Sequence, residues 1–300
     1  MSLKFKLSFL WSNQNLDKEE SQCGVFIMQL LFKEHCPMPS QEVFEEIYNK
    51  NIGNVQGEMG ETGSAHFLAL DYIAKFEKEK EVPIQLAVFL CDDKGASPDE
   101  ITKSQMWDCP NSVEILAECK YSILAMDLLG SALEYKSRAE LLMKYLVSLM
   151  EIYPTCEAVY FNTSGKLLTR EYILNDNTPL ENKFIRLAVN MRFFNIEGTN
   201  DCIVDSLGMS TLFLPDLQYH YRGDSIDPNM IVSHGYSMAS YIYDKDNPIS
   251  HGETIAGIDF KTGCFEQNLK WKCSEEMSLI QPLRPVLDVA IKGYAAGDRE

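Results

Sequence analysis

Runs of apolar residues bounded by turn formers alternate along the chain with segments whose apolar positions recur three and four apart, the respective signatures of strands and helices. The first half reads strand, helix, strand, strand, helix, strand. Residues 25–32 form the first strand. Ser40 then caps a helix that carries Val43, Phe44, Ile47 and Tyr48 at helical spacing, with Pro39 just ahead of the cap. Residues 66–76 and 84–91 are two further strands; Asn111 with Glu114 starts a short helix reaching Cys119, and residues 121–128 form a buried strand. The clearest helix follows. Ser137 and Glu140 make a capping box, Leu141, Leu142, Tyr145, Leu146, Leu149 and Met150 make a broad apolar face, and Pro154 ends it.

Beyond that helix the pattern predicts strands at residues 158–161, 184–196 and 202–221. Asp227 and Pro228 then open a helix to about Tyr243, an N-cap followed by proline at the first helical position. Strands close the chain at 254–260 and 286–291, while residues 51–64 and 175–182 read as loops. The expected class is α+β: two lobes of mixed or antiparallel sheet covered by helices, at residues 1–130 and 131–300, each built as a ferredoxin-like split βαβ unit.

Composition agrees with a globular protein. Of 300 residues 45% are hydrophobic and 24% charged, with 12 Pro and 17 Gly, which excludes disordered and fibrous classes. Charge says more about partners. The 27 Lys and Arg face 44 Asp and Glu, a net charge of −17 with no acidic tail carrying it. Nucleic acid and anionic lipid are disfavoured, because both need clustered cations, and residues 75–81 interleave lysine with glutamate. A basic protein partner is favoured instead. The nine cysteines are odd in number and contain no C-x-x-C, against both a disulfide framework and a zinc ribbon. The apolar stretch at residues 7–11 is too short for a secretory h-region, and no run approaches the ~18 apolar residues of a membrane span. Cytoplasmic placement is the expectation, with no cofactor, metal site or catalytic residue assigned.

Candidate chemistry is sparse. Gly165-Lys166 lacks the earlier glycine and the following Ser or Thr of a phosphate loop. Ser237, between Gly235 and Ala239, sits in the interior of the helix from Pro228, where a nucleophile elbow cannot form; His234, one turn from Met230 and Met238, reads as a packed core histidine. The informative row is residues 214–222. Strand alternation turns Leu217, Tyr219 and Tyr221 to one side and Asp216, Gln218, His220 and Arg222 to the other. Asp216 and His220 stand about 13 Å apart along the strand, too far to share a metal. A solvent-facing polar side is expected there. Arg192, set among aromatics, is expected on a neighbouring strand, paired with Asp205 or Asp216 or stacked on a ring. Trp107, in a polar turn-rich segment, either plugs a seam between lobes or marks an exposed recognition surface, the plug being the expectation. Binding candidates are therefore Arg192, Asp205, Asp216, His220, Arg222 and Trp107. A hydrolase with a polar cleft at Asp216, His220 and Arg222 is the alternative.

Several of these segments resemble a known bacterial family. They are Gln-Met-Trp-Asp at 105–108, Cys-Lys-Tyr-Ser-Ile-Leu-Ala-Met-Asp at 119–127, Leu-Glu-Tyr-Lys-Ser-Arg at 133–138, Arg-Phe-Phe-Asn-Ile at 192–196 and Asp-Ser-Leu-Gly-Met at 205–209. The row at 214–222, Lys-Trp-Lys-Cys at 270–273 and Val-Leu-Asp at 286–288 complete the likeness. Together they are similar to Domain of Unknown Function 4261 over nearly the whole chain. The resemblance implies a soluble bacterial protein rather than two unrelated domains, and it brings no activity, cofactor or catalytic residue. The combined expectation is a non-catalytic binding or protein-interaction module.

Overall fold

Two sheets organise the chain in the computed structural model, which describes residues 24–61, 63–76, 80–91, 95–223 and 226–297. The first sheet holds β1 (Ile27–Phe32), β2 (Val55–Met59), β3 (Ser64–Phe76), β4 (Lys80–Cys91), β5 (Tyr121–Leu128), β6 (Ala158–Phe161) and β7 (Lys166–Thr169). Its order is β2-β3-β4-β5-β1-β6-β7, with every neighbour antiparallel. The second holds β8 (Asn190–Asn195), β9 (Asp201–Leu207), β10 (Asp216–Arg222), β11 (Thr254–Ile258), β12 (Phe265–Met277) and β13 (Pro285–Ala290). Here the order is β11-β12-β13-β10-β9-β8, and only β10 and β13 run parallel. The α-helices are α1 (Gln41–Asn51), α2 (Glu100–Ser104), α3 (Ser112–Glu118), α4 (Tyr135–Ile152), α5 (Arg170–Asn175), α6 (Leu180–Ala188) and α7 (Pro228–Asp244). The class is α+β. The first sheet departs from a ferredoxin-like split βαβ unit in spacing: β1 and β2, joined through α1, run the same way, but three strands, β3, β4 and β5, lie between them where such a unit has one.

Helix α4 earns its central place through its apolar residues. Leu141, Leu142, Tyr145, Leu146 and Leu149 are all sealed from solvent, and Tyr145 donates its hydroxyl to the Ala87 carbonyl at 2.9 Å. Around them an aromatic cluster ties α1 to the first sheet, with Phe44 5.0 Å from Phe67 and Tyr48 5.8 Å from Tyr145 between ring centroids. The cap differs from expectation. Glu134, not Ser137, holds the N-terminus, its carboxylate accepting from the Lys136 and Ser137 amides, so the helix begins three residues earlier than the capping-box reading. Asp227 caps α7 as expected, accepting from Asn229 N with Pro228 behind it.

Other departures have local causes. Residues 184–196 are not one strand, because Leu180, Phe184, Leu187 and Ala188 recur at helical spacing and form α6 before β8 starts. The run at 202–221 is two antiparallel strands, broken at Gly208 and a 3-10 turn at Met209–Leu212. Gly208 has φ 127°, and a Cβ there would stand 2.9 Å from the Ala188 carbonyl oxygen, so only glycine fits the turn. The expected loop at 51–64 contains β2, and that at 175–182 runs into α6. Short or polar elements, namely α2, β7, α5 and β12, carried too little apolar periodicity to be read.

Candidate functional site

Register builds the site. Arg192 on β8 lies directly opposite Asp205 on β9, Asp205 opposite Gln218 on β10, and Gln218 opposite Asp288 on β13, so one row of polar side chains crosses four strands. Arg192 grips Asp205 with two parallel bonds, Nε to Oδ1 at 2.8 Å and Nη2 to Oδ2 at 2.5 Å, and its guanidinium lies 5.1 Å from the Phe194 ring centroid. Both sequence expectations for Arg192 are therefore met at once, with Asp205 as the carboxylate.

A second arginine completes the row. Arg284 donates from Nε to Asp216 Oδ2 at 3.0 Å and from Nη2 to Asp205 Oδ2 at 2.8 Å and to the Ser206 carbonyl. Asp216 also accepts from Ser206 Oγ at 2.7 Å and the Met209 amide at 3.2 Å, and Gln218 donates to Asp288 Oδ1 at 2.7 Å. Residues 278–284, the connection between β12 and β13, fold over this row as a strap. Its Gln281 carbonyl accepts from Arg192 Nη1 at 2.9 Å, its Pro282 carbonyl from Arg284 Nη1 at 3.0 Å, and its Leu279 amide donates to Gln218 Oε1 at 2.7 Å.

The expectation of a solvated stripe is thereby corrected. Asp216, Gln218, Asp205, Arg192, Arg284 and Asp288 are all buried, because the strap supplies the acceptors and donors that water would otherwise provide. Burial pushes the Asp216 carboxyl above its ordinary value against the opposing pull of Arg284. Burial also opposes the Arg284 charge, but Asp216 and Asp205 outweigh it and hold the guanidinium above its ordinary value. On the reverse side Leu217, Tyr219 and Tyr221 are sealed, as the alternation required.

His220 and Arg222 lie further along β10, where the row opens. His220 is half-buried with Nε2 3.3 Å from Asp201 Oδ2, and Arg222 is exposed and donates to the Gly293 carbonyl at 2.8 Å. They do not join the Arg192 cluster. Trp107 stands elsewhere and is 58% exposed, so the plug reading is overturned; the buried neighbour is Gln105, whose Oε1 accepts from the Phe193 amide at 2.8 Å and from Trp107 Nε1 at 3.2 Å. A glutamine at this seam satisfies an edge-strand amide, which an indole cannot do.

Three more buried polar groups are structural. Arg138 pairs with Asp127 through two bonds of 2.8 and 2.9 Å and donates to the Thr211 carbonyl at 2.6 Å. His234 stands between Tyr219 Oη at 2.9 Å and the Ala256 carbonyl at 3.0 Å, and burial lowers its pKa to about 4, as a packed core histidine requires. Lys166, fully buried, donates to the Arg186 and Val189 carbonyls, each at 2.9 Å, and meets Asp108 at 3.0 Å and Tyr236 Oη at 3.2 Å. Among the described residues no group of three or more His, Cys, Asp or Glu is placed to hold a metal ion, and eight cysteines are free thiols.

Sequence reasoning missed Arg284 and Arg138. For Arg284 charge balance was the available signal: Asp205 and Asp216 are two carboxylates for which Arg192 alone was expected as partner, and buried carboxylates demand a matching count of cations.

No curated protein and no solved structure matches the chain. Among family models, residues 205–290 match the one described as Domain of unknown function (DUF4261), a span from Asp205 through the strap to Ala290. This is narrower than the near full-length resemblance read from the sequence, since the likeness at 105–108, 119–138 and 192–196 lies outside it. Residues 205–290 are thus similar to the family Domain of unknown function (DUF4261), and Asp205, Arg284, Asp216, Gln218 and Asp288 lie in that stretch while Arg192 does not.

Proposed function

We propose that the chain is a binding or protein-interaction module without catalysis of its own, acting in the cytoplasm on a basic protein partner. One observation carries the reading: the ionisable residues that a catalytic cleft would need are engaged with one another. Both oxygens of Asp205 and of Asp216 accept from arginine, hydroxyl or amide donors within the chain, which leaves neither as a base for a substrate. His220 and Arg222, the remaining members of the alternative hydrolase cleft, stand apart from that cluster and bond to Asp201 and Gly293. The net charge of −17 supports a cationic partner and disfavours nucleic acid. Free thiols support a reducing compartment, and no described helix is long and apolar enough to cross a membrane.

The test is a binding titration with a short lysine homopolymer, run beside a turnover panel of model esters, phosphoesters and peptides. Binding at low ionic strength that salt weakens, with no turnover, is the expected result. Turnover that His220→Ala abolishes, or no binding at low salt, would overturn it.

A further inference from the structure

The two sides of the first sheet are covered unequally. One side packs Phe67, Leu86, Val88, Ile123 and Ala125 into the main hydrophobic cluster with α1 and α4. Strand alternation turns the intervening residues outward, and on β1, β3, β4 and β5 these include Ile27, Leu68, Phe89, Leu124, Met126 and Leu128. Register makes them contiguous. Leu124 faces Phe89; Met126 faces Ile27 on one side and Ala87 on the other; Leu128 faces Gln85, which in turn faces Leu68. All six are half-buried or exposed, Leu68 at 40%, and none belongs to either hydrophobic cluster.

An antiparallel sheet that leaves one side to water normally carries polar residues there. Here the outward side carries those six apolar residues, with the hydrogen-bonded pairs Gln29–Ser122 and Gln85–His66 among them. Toward β6 and β7 the outward side is roofed, since Leu31, Ala158, Tyr160 and Leu167 pack with Met106, Cys109 and Ile115 in a second cluster. Among the described residues the roof leaves β3, β4 and β5 as an apolar shelf, half-buried except at exposed Leu68, and contiguous apolar surface of this kind marks an interaction site.

Chemistry selects the occupant. The shelf lies on interior strands whose backbone groups are already paired, so a partner cannot add as an extra strand and must dock through side chains. Glu58, exposed on β2 directly opposite His66, and exposed Glu61 border the shelf, the rows through Ser64, His66 and Leu68 hold no Lys or Arg, and the one lysine further along β3, Lys75, is paired with Glu81. A second copy would bring the same acidic border and the same net charge of −17. A helix about 10 Å wide spans two to three strands at ~4.8 Å spacing, the width of the shelf. We propose that the outward side of β3, β4, β5 and β1 docks a basic amphipathic helix of another protein, apolar stripe on the six residues and Lys or Arg flanks toward Glu58 and Glu61. The inference rests on the interaction-module reading and names its surface.

A labelled Leu/Lys peptide with helical amphipathic order, titrated by fluorescence anisotropy into the full chain against a scrambled isomer of identical composition, tests it. The ordered peptide is expected to bind at least tenfold tighter than the scrambled one. Leu124→Ser with Met126→Ser should erase that difference, and so should Leu68→Ser, which removes an already exposed side chain and spares the fold; Val113→Glu on α3 should leave it intact. Equal binding of both peptides, no binding of either, or an ordered-peptide preference untouched by Leu68→Ser would overturn the proposal, while lysine-homopolymer binding without that preference would leave the module reading standing. A dimer in sedimentation that Leu68→Ser dissociates would assign the shelf to a second copy. Binding that appears only in a Phe9→Glu, Trp11→Glu variant would assign it to the chain's own opening residues. Either result overturns the external helix.

Discussion

The core under α4 and the row under the strap are both sealed from water, yet they are held by different physics. Under α4, Leu146, Leu149 and Tyr145 interlock with Phe44, Tyr48 and Phe67, contacts that are individually weak, additive and tolerant of small shifts. Under the strap, two guanidiniums and three carboxylates depend on fixed angles and on one another. Loss of one apolar group leaves a gap. Loss of one arginine leaves a charge in a medium that cannot solvate it.

Arg284→Ala is expected to produce the largest effect, because it leaves buried Asp216 without a cation and takes one donor from Asp205, which keeps Arg192: a loss of about 3–5 kcal/mol in urea unfolding. A loss under about 1 kcal/mol would mean that water reaches the row and that the contrast with the α4 core is false. Leu146→Ala should follow at about 2–5 kcal/mol, through lost transfer energy and a residual cavity. If it costs more than Arg284→Ala, the apolar core rather than the ionic row is the less tolerant region.

His234 sharpens the comparison by pH. Its pKa is about 4 in the folded chain against an ordinary 6.5, so the unfolded state binds the extra proton. Stability from this residue is fully present above pH 6.5 and is lost as pH falls toward 4, about 3 kcal/mol in all. Unfolding free energy measured between pH 7 and 4 should fall more steeply in the native chain than in His234→Gln; parallel curves would show that the imidazole is not sealed. The smallest effect belongs to His220→Ala, within about 0.5 kcal/mol, since its contact with Asp201 lies at the open end of the row. A loss above about 2 kcal/mol would extend the closed network to that end.

What the sequence made legible follows the same division. Apolar periodicity located α1, α4, α7 and most strands, and alternation assigned Leu217, Tyr219 and Tyr221 to the interior, because burial of apolar area leaves a repeating trace along the chain. Pairing left none. β1 between β5 and β6, or β10 beside β13, depends on contacts far apart in sequence. The strap was unreadable for a related reason: residues 278–284 look like an ordinary turn, and it is backbone groups, the Leu279 amide and the Gln281 and Pro282 carbonyls, that close the row. Trp107 misled because aromatic character alone does not fix burial, whereas Gln105 beside it had the amide geometry the site required.

Lys166 gives the molecule an internal chemical clock. Its ammonium is enclosed by the Arg186 and Val189 carbonyls, Asp108 and Tyr236. Burial works against its charge, but Tyr236 and Asp108 prevail and hold its pKa above the ordinary lysine value, so little neutral amine exists to react. Acylating reagents should therefore modify the exposed lysines at once and reach this one only when the surrounding helices open, which makes its labelling rate a direct readout of how often they do.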